Sequence, residues 1–404
     1  MRRKNLKKKI LFIYDSMMLG GTTTALLSLI ESIDRNKYEI DILLYTNTGT
    51  NFNKIPNFVH ILPEAYIGKK FLSSRNKKIV KTIFSRQLIE AVISYFKYRN
   101  TPKGKFRGIL MHYGMRAQVS LSRVIEEEYD VAIGFMEGWS AQYIASPKIK
   151  ALKKYIWIHP QYKSCYLIPE IDRKNFETVD KIVLVSESCV EQFNEFFPEF
   201  RNKIAVIPNI ISSNILYEKA FSKMIFIEKK EINFCTVCRC DLKVKGLDRL
   251  LKTFYKLKMQ SLCKNVKWHL IGDGPDYKYL ESEVDRLDLR DVIVFYGEQS
   301  NPLPYLSQMD IFVLASRYEG KPLSVTEAQI LGVPCLITNY ASAKSQVQNE
   351  YDGLVVENSF DGIYNGVKRI IENPELLNKW KENMKTKNYG NEQDVVKFYN
   401  LINT

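Results

Sequence analysis

The stretch Ser316-Arg317-Tyr318-Glu319-Gly320-Lys321-Pro322-Leu323-Ser324-Val325-Thr326-Glu327-Ala328 follows directly on the apolar run Asp310 to Ala315. It sets two carboxylates eight residues apart, Glu319 and Glu327, with Gly320 and Pro322 just after the first and a helix starting around Ser324. Strand, Gly/Pro turn and helix in that order make one βα unit of a parallel sheet. Two readings fit the residues. In the local one, Ser324 and Glu327 form a capping box, Pro322 starts the helix and Glu319 is a solvated loop acid. In the functional one, free N–H groups at the helix N-terminus cradle a diphosphate while both carboxylates accept hydrogen bonds from hydroxyls.

The same unit repeats outward in both directions. Short β-branched runs recur at Lys9 to Asp15, Tyr38 to Tyr45, Val59 to Leu62, Asp130 to Phe135, Lys154 to His159, Lys181 to Ser186 and Lys203 to Ile207. After a polar, irregular stretch near Pro208 to Glu231 they resume at Ile232 to Arg239, Val266 to Ile271, Val292 to Tyr296, Val333 to Thr338 and Gly353 to Val356. Near-continuous apolar runs of this length are strands buried on both faces, and helical stretches such as Thr22 to Ile33, Val190 to Phe197 and Leu247 to Lys258 supply the crossovers. Two series predict two doubly wound α/β domains, residues 1–210 and 211–384, facing each other across a cleft that holds the ligand. The last helical segment, Pro374 to Leu401, is too long to be only the final crossover. Residues 385–404 are expected to cross back to the first domain.

Further motifs accompany the double glutamate. Arg239 precedes Lys245-Gly246-Leu247-Asp248-Arg249-Leu250, then come Gly272-Asp273-Gly274-Pro275 and Val294-Phe295-Tyr296-Gly297. In the first half, Gly20-Gly21 stand ahead of a helical run and Trp157-Ile158-His159 end a strand. This ordered set resembles the family 4 retaining glycosyltransferases, with their E-x7-E signature and two-domain GT-B fold. The resemblance covers nearly all of the second half and weaker parts of the first. It implies that Glu319 faces a donor sugar, that Glu327 holds the ribose hydroxyls of a nucleotide sugar, and that Arg239 and Lys245 neutralise its diphosphate. It also implies that Gly320, Lys321, Pro322, Leu323 and Ser324 line the donor, that Gly20 and Gly21 let backbone approach phosphate or sugar, and that His159 assists orientation or charge stabilisation. Taken by themselves, Gly20 and Gly21 also fit a tight strand-to-helix turn. The chain departs from the family at Cys238, at Ile210 and across Tyr340 to Glu350, where glycine is frequent.

The carboxylates do not read as a hydrolase pair. Eight residues of continuous helix would separate them by about 12 Å, against the roughly 5 Å of retaining glycosidases. No two aspartates lie two apart, so the Asp-x-Asp metal pair of other glycosyltransferases is missing, and neither a metal nor a cofactor is expected.

Composition limits the partners. The chain has 404 residues, 45% hydrophobic and 26% charged, which is enough for two cores and excludes disorder. The basic start Met1 to Lys9 leads only into Ile10 to Tyr14, too short for a spanning helix or signal peptide, so the expected location is cytoplasmic, peripheral at the inner face of the plasma membrane. The net charge is +14. Met1 to Lys9 and Lys69 to Arg107 carry more than the whole excess, and the rest is slightly acidic, unlike a nucleic-acid channel. From Lys77 to Tyr98, apolar residues recur at helical spacing among lysines and arginines. Such a helix either packs on the sheet or lies on an anionic membrane holding a lipid-linked glycan acceptor. Seven cysteines without an export signal read as reduced thiols, and Cys235, Cys238 and Cys240 lack the second pair of a zinc site. The function expected is transfer of a hexose or N-acetylhexosamine, most simply UDP-linked, onto a capsule or exopolysaccharide precursor. The rivals are a GT-B subunit without catalysis and a basic nucleic-acid binder.

Overall fold

The structure, a computed structural model, describes residues 7–18, 20–66, 103–160, 162, 168–228 and 230–403. Among these, thirteen strands form two sheets, and every pairing within them is parallel. The runs that build them are buried on both faces: Ile10 to Ile13 and Ile311 to Leu314 are 0% exposed. That is how covering helices on each side translate into sequence.

The first unit comprises Met1–Asn209 together with Gln393–Thr404. Its strands are β1 (Lys8–Tyr14), β2 (Tyr38–Leu44), β3 (His60–Ile61), β4 (Glu128–Gly134), β5 (Lys150–Ile158), β6 (Lys181–Leu184) and β7 (Ile204–Val206), in the spatial order β3-β2-β1-β4-β5-β6-β7. The chain builds outward from β1 in one direction and returns to continue from β4 in the other. The crevice at the carboxyl ends of β1 and β4 is therefore the switch point where such sheets bind ligands. The helix Val395–Asn403 closes this unit. Phe398 stacks on Phe12 with centroids 6.3 Å apart, Tyr399 on Tyr38 at 5.5 Å, and the Tyr155 hydroxyl donates to the Leu401 carbonyl at 3.0 Å.

The second unit, Ile210–Glu392, contains β8 (Ile232–Val237), β9 (Val266–Ile271), β10 (Ile293–Gly297), β11 (Ile311–Leu314), β12 (Cys335–Thr338) and β13 (Gly353–Val356), ordered β10-β9-β8-β11-β12-β13. Its switch point lies between β8 and β11. The amphipathic helix Leu247–Met259 packs Leu250, Phe254 and Leu257, each 0% exposed, against the sheet, with Phe254 stacked on Trp268 at 5.3 Å. Burying side chains of this size is worth about 1.5–3 kcal/mol apiece.

Three expectations need correction. The segment 374–401 is two helices, Glu375–Met384 and Val395–Asn403, because Lys387 and Tyr389 between them bind Asp352 at 2.9 and 2.8 Å and turn the chain. The stretch 208–231 is not irregular throughout: Ser213–Ala220 is helical, capped by the Ser212 side chain. The local reading of Ser324 and Glu327 as a capping box fails too, since no side chain caps the helix Leu323–Ile330. The amphipathic reading of Lys77 to Tyr98 lies outside the described residues, and the described part of Lys69 to Arg107 begins with the helix Lys103–Ser120. Among the described residues no helix is long and apolar enough to cross a membrane.

Candidate functional site

In the second unit the loops after β8, β9 and β11 converge at the switch point. Cys238, Arg239 and Cys240 follow β8, and the loop after β9 packs backbone to backbone against them. Gly272, at φ 136°, has no room for a side chain, since a Cβ would lie 1.9 Å from the Cys238 carbonyl oxygen. This is the physical content of Gly272-Asp273-Gly274-Pro275. Cys240 N–H donates to Asp273 at 3.0 Å, and Asp276 N–H returns a bond to Cys240 at 3.1 Å. Arg239 is thereby fixed at the backbone while its side chain stays exposed.

Lys245 and Glu319 meet. Nζ of Lys245 lies 2.6 Å from Oε1 of Glu319, which also accepts from the Ser316 hydroxyl at 2.6 Å. The Glu319 side chain is only 11% exposed, so it is not a solvated loop acid. Burial alone would lower the Lys245 pKa, but the Glu319 carboxylate outweighs it and raises it, keeping the ammonium charged. Lys245 ends the short helix Leu242–Lys245, whose first N–H groups are capped by Asp241, and Gly246 makes the turn at φ 63°. A Cβ on Gly246 would stand 2.2 Å from the Ala315 carbonyl oxygen. Arg317 forks onto Asp248 at 2.9 and 2.8 Å, tying the two loops together a second time. Cys238, where the family favours glycine, is pushed up to about 12, chiefly by burial, so the thiol is protonated and inert.

The helix Leu323–Ile330 follows. Its N-cap is Pro322 and no side chain caps it. The capping box of Ser324 and Glu327 is therefore absent: Ser324 already lies inside the first turn, because Pro322 holds the extended backbone that starts the helix. Gly320, Pro322 and Leu323 are buried, and Lys321 and Ser324 half-buried. Glu319 lies in the loop and Glu327 on the helix. Burial lifts Glu327 to about 7, with Lys219 pulling the other way.

The first unit has its own group of residues. Gly20 is extended at φ 163°, and a Cβ there would meet nothing within 4 Å, so neither strain nor crowding explains the glycine. Gly21 begins the helix Gly21–Ser32. His159 follows β5, its Nε2 3.1 Å from the Phe135 carbonyl oxygen, and burial drives it down to about 4, so it is neutral at pH 7. Two carboxyls that sequence reasoning passed over stand at the same strand ends. Asp15 after β1 accepts from Ser140 at 2.9 Å and is raised to about 6, and Glu137 after β4 is raised to about 7, both mainly by burial. Their position directly after strands on either side of the switch point was the available signal. Among the described residues no group of three or more His, Cys, Asp or Glu side chains is placed to hold a metal.

Residues 218–387 match the model of the family described as glycosyl transferases group 1. An uncharacterised glycosyltransferase of Haemophilus influenzae is 24% identical over 98% of this chain and 100% of its own. The UDP-Gal:α-D-GlcNAc-diphosphoundecaprenol α-1,3-galactosyltransferase of Escherichia coli is 31% identical over 33% of each chain. The crystal structure of an S. aureus TarM variant in complex with fondaparinux, α-GlcNAc-glycerol and UDP superposes with a TM-score of 0.65 at 14% identity, over 98% of this chain and 100% of that one. The two parallel-sheet units have the GT-B fold, and residues 218–387 are similar to the group 1 glycosyltransferases. The matched segment of this GT-B chain holds Arg239, Lys245, Glu319 and Glu327, whereas Gly20, Gly21 and His159 lie outside it.

Proposed function

We propose that the protein is a metal-independent retaining glycosyltransferase of family 4 that moves a hexose or N-acetylhexosamine from a UDP-sugar to a hydroxyl of a lipid-linked or polysaccharide acceptor in cell-envelope glycan synthesis. The observation that carries the reading is the Lys245–Glu319 pair, 2.6 Å apart, beside a helix N-terminus that no side chain caps. A cation, free N–H groups and a carboxylate are what a nucleotide sugar requires at its diphosphate and its sugar. The named substrate of the E. coli relative and the UDP bound by TarM support the donor and acceptor classes.

In this reading the bond from the anomeric carbon to the diphosphate breaks, and Lys245, Arg239 and the helix N–H groups stabilise the charge that grows on the leaving oxygen. The acceptor hydroxyl attacks the face the diphosphate leaves, through an oxocarbenium-like state, and passes its proton to that phosphate oxygen. Glu319 orients the donor sugar without forming a bond to it. Glu327 accepts from the ribose hydroxyls, and neutral His159 contributes a hydrogen bond. The protein works at the cytoplasmic face of the plasma membrane, held there by the basic segment 69–107.

The test is a screen of UDP-, GDP-, ADP- and dTDP-sugars for slow hydrolysis, with the released anomer followed by NMR. UDP-sugar turnover with retention, abolished by Glu319→Ala and unaffected by EDTA, is expected. A covalent glycosyl ester on Glu319, or variants at Glu319 and Glu327 that match wild type, would sink the assignment. Charge reversal across 77–86 that leaves activity on a lipid-linked acceptor intact would remove the membrane part.

A further inference from the structure

Glu319 is reached from β11 through four residues, Ala315 to Tyr318, and the carbonyls of the first three are held from outside. The Ser316 carbonyl accepts from Thr338 Oγ1 at 2.6 Å. The other two are held by one bridged pair. Arg249 donates from Nη2 to the Ala315 carbonyl and from Nη1 to Asn358 Oδ1 at 2.9 Å, while Asn358 Nδ2 donates to the Arg317 carbonyl at 3.1 Å. Asn358 thus uses both ends of its amide, one toward the guanidinium and one toward the loop.

Arg249 is an expensive residue in this place. It is 8% exposed, no carboxylate among the described residues lies in salt-bridge contact with it, and burial lowers its pKa. An apolar side chain would fill a helix face at no such cost. What the guanidinium touches accounts for it. It lies against Gly246, whose Cβ would come 2.9 Å from Nη2, and it holds Ala315, so it spans the turn carrying Lys245 and the strand end leading to Glu319.

We propose that Arg249 and Asn358 are positioning residues that fix the Lys245–Glu319 pair. They act through the loop and not on the donor. This rests on the transferase reading above only for what the pair does, and the geometric part is tested without turnover. In the first arm, Asn358→Ala and Arg249→Lys are compared with wild type in donor hydrolysis and in UDP calorimetry. Asn358→Ala should lower kcat about tenfold or more, since small misplacements of reacting groups cost up to about a hundredfold, while UDP affinity falls by a clearly smaller factor. Arg249→Lys, which keeps a donor for Ala315, should recover part of what Arg249→Met loses. In a Lys245→Ala background, Asn358→Ala should cost clearly less than it does in the wild type, because the two changes share one path. An undiminished cost in that background, or UDP affinity falling in step with kcat, overturns the proposal.

In the second arm, acylation of Lys245 is followed by mass spectrometry. At a temperature where both proteins are folded, Asn358→Ala should speed modification of Lys245 severalfold and leave other lysines unchanged. An unchanged Lys245 rate overturns the proposal whether or not the protein turns over a nucleotide sugar. Absence of turnover in wild type, with Lys245 released as expected, would instead count against the proposed function alone.

Discussion

Glu327 gives the sharpest test of the donor-site assignment, because the fold sets its charge state and its proposed task needs the charge. Burial raises its carboxyl from the ordinary 4.5 to about 7, and Lys219 is the opposing influence. A carboxyl that must accept two ribose hydroxyls binds its ligand as the carboxylate, so affinity follows the ionised fraction of the free protein. For a group titrating at about 7, that fraction is about nine-tenths at pH 8 and about one-tenth at pH 6. The dissociation constant for a UDP-sugar should therefore rise about tenfold between pH 8 and pH 6, with close to one proton released on binding at the lower pH. A nucleotide sugar suits the measurement because its diphosphate is esterified at both ends and does not titrate across this range.

The assay is isothermal calorimetry at pH 6, 7 and 8 and fixed ionic strength, in two buffers of different ionisation enthalpy, on wild type and Glu327→Gln. The variant should bind more weakly than wild type at pH 8 and show no slope, so that the two curves converge toward pH 6. Stability carries the opposite sign. A folded-state pKa above the unfolded value means that stabilisation is complete below about 4.5 and is lost as pH rises through about 7. Glu327→Gln should then melt higher than wild type at pH 8 and lose that advantage near pH 4.5. A wild-type affinity that is flat from pH 6 to 8, or a Gln variant that keeps the slope, would refute the role given to Glu327.

Three other expectations concern single side chains. Lys245→Ala leaves the nearly buried Glu319 carboxylate with only Ser316; because both partners keep some solvent, the loss should be about 1–3 kcal/mol in urea unfolding, with donor turnover down about 10²–10³-fold. Gly246→Ala should cost more than about 1 kcal/mol, since its φ is 63° and its Cβ would collide with Ala315; Gly20→Ala, with extended backbone and open space, should leave melting unchanged and weaken only ligand binding. Phe398→Ala removes a ring that is 0% exposed against Phe12 and Trp157 and should destabilise the first unit by about 3–5 kcal/mol, visible by calorimetry as an earlier transition.

How legible each feature was depends on how local its cause is. The central strands could be read from the chain because a strand buried on both faces must be apolar throughout its own few residues. The N-cap of the helix Leu323–Ile330 could not: Ser324 and Glu327 satisfy the capping pattern, yet the cap is Pro322, two residues earlier, and no side chain bonds there. Cys238 and Cys240 read as reduced thiols and are free, whereas the glycines of Gly272-Asp273-Gly274-Pro275 gained a cause only when the Cys238 carbonyl was found where a Cβ would be. The Lys245–Glu319 pair spans 74 residues, and no periodicity connects its partners. What did connect them was topology. Each sheet reverses its order once, between β1 and β4 and between β8 and β11, and loops at the carboxyl ends of those strands are the ones left uncovered by crossovers. Gly20 follows β1, Arg239 and Lys245 follow β8, and Glu319 follows β11. Strand order alone therefore explains why those residues each border the crevice of their own sheet, and it equally places Asp15 and Glu137 beside the crevice of the first. Neither carboxyl matches any motif, so only their raised pKa values and their place beside β1 and β4 distinguish them from ordinary loop acids.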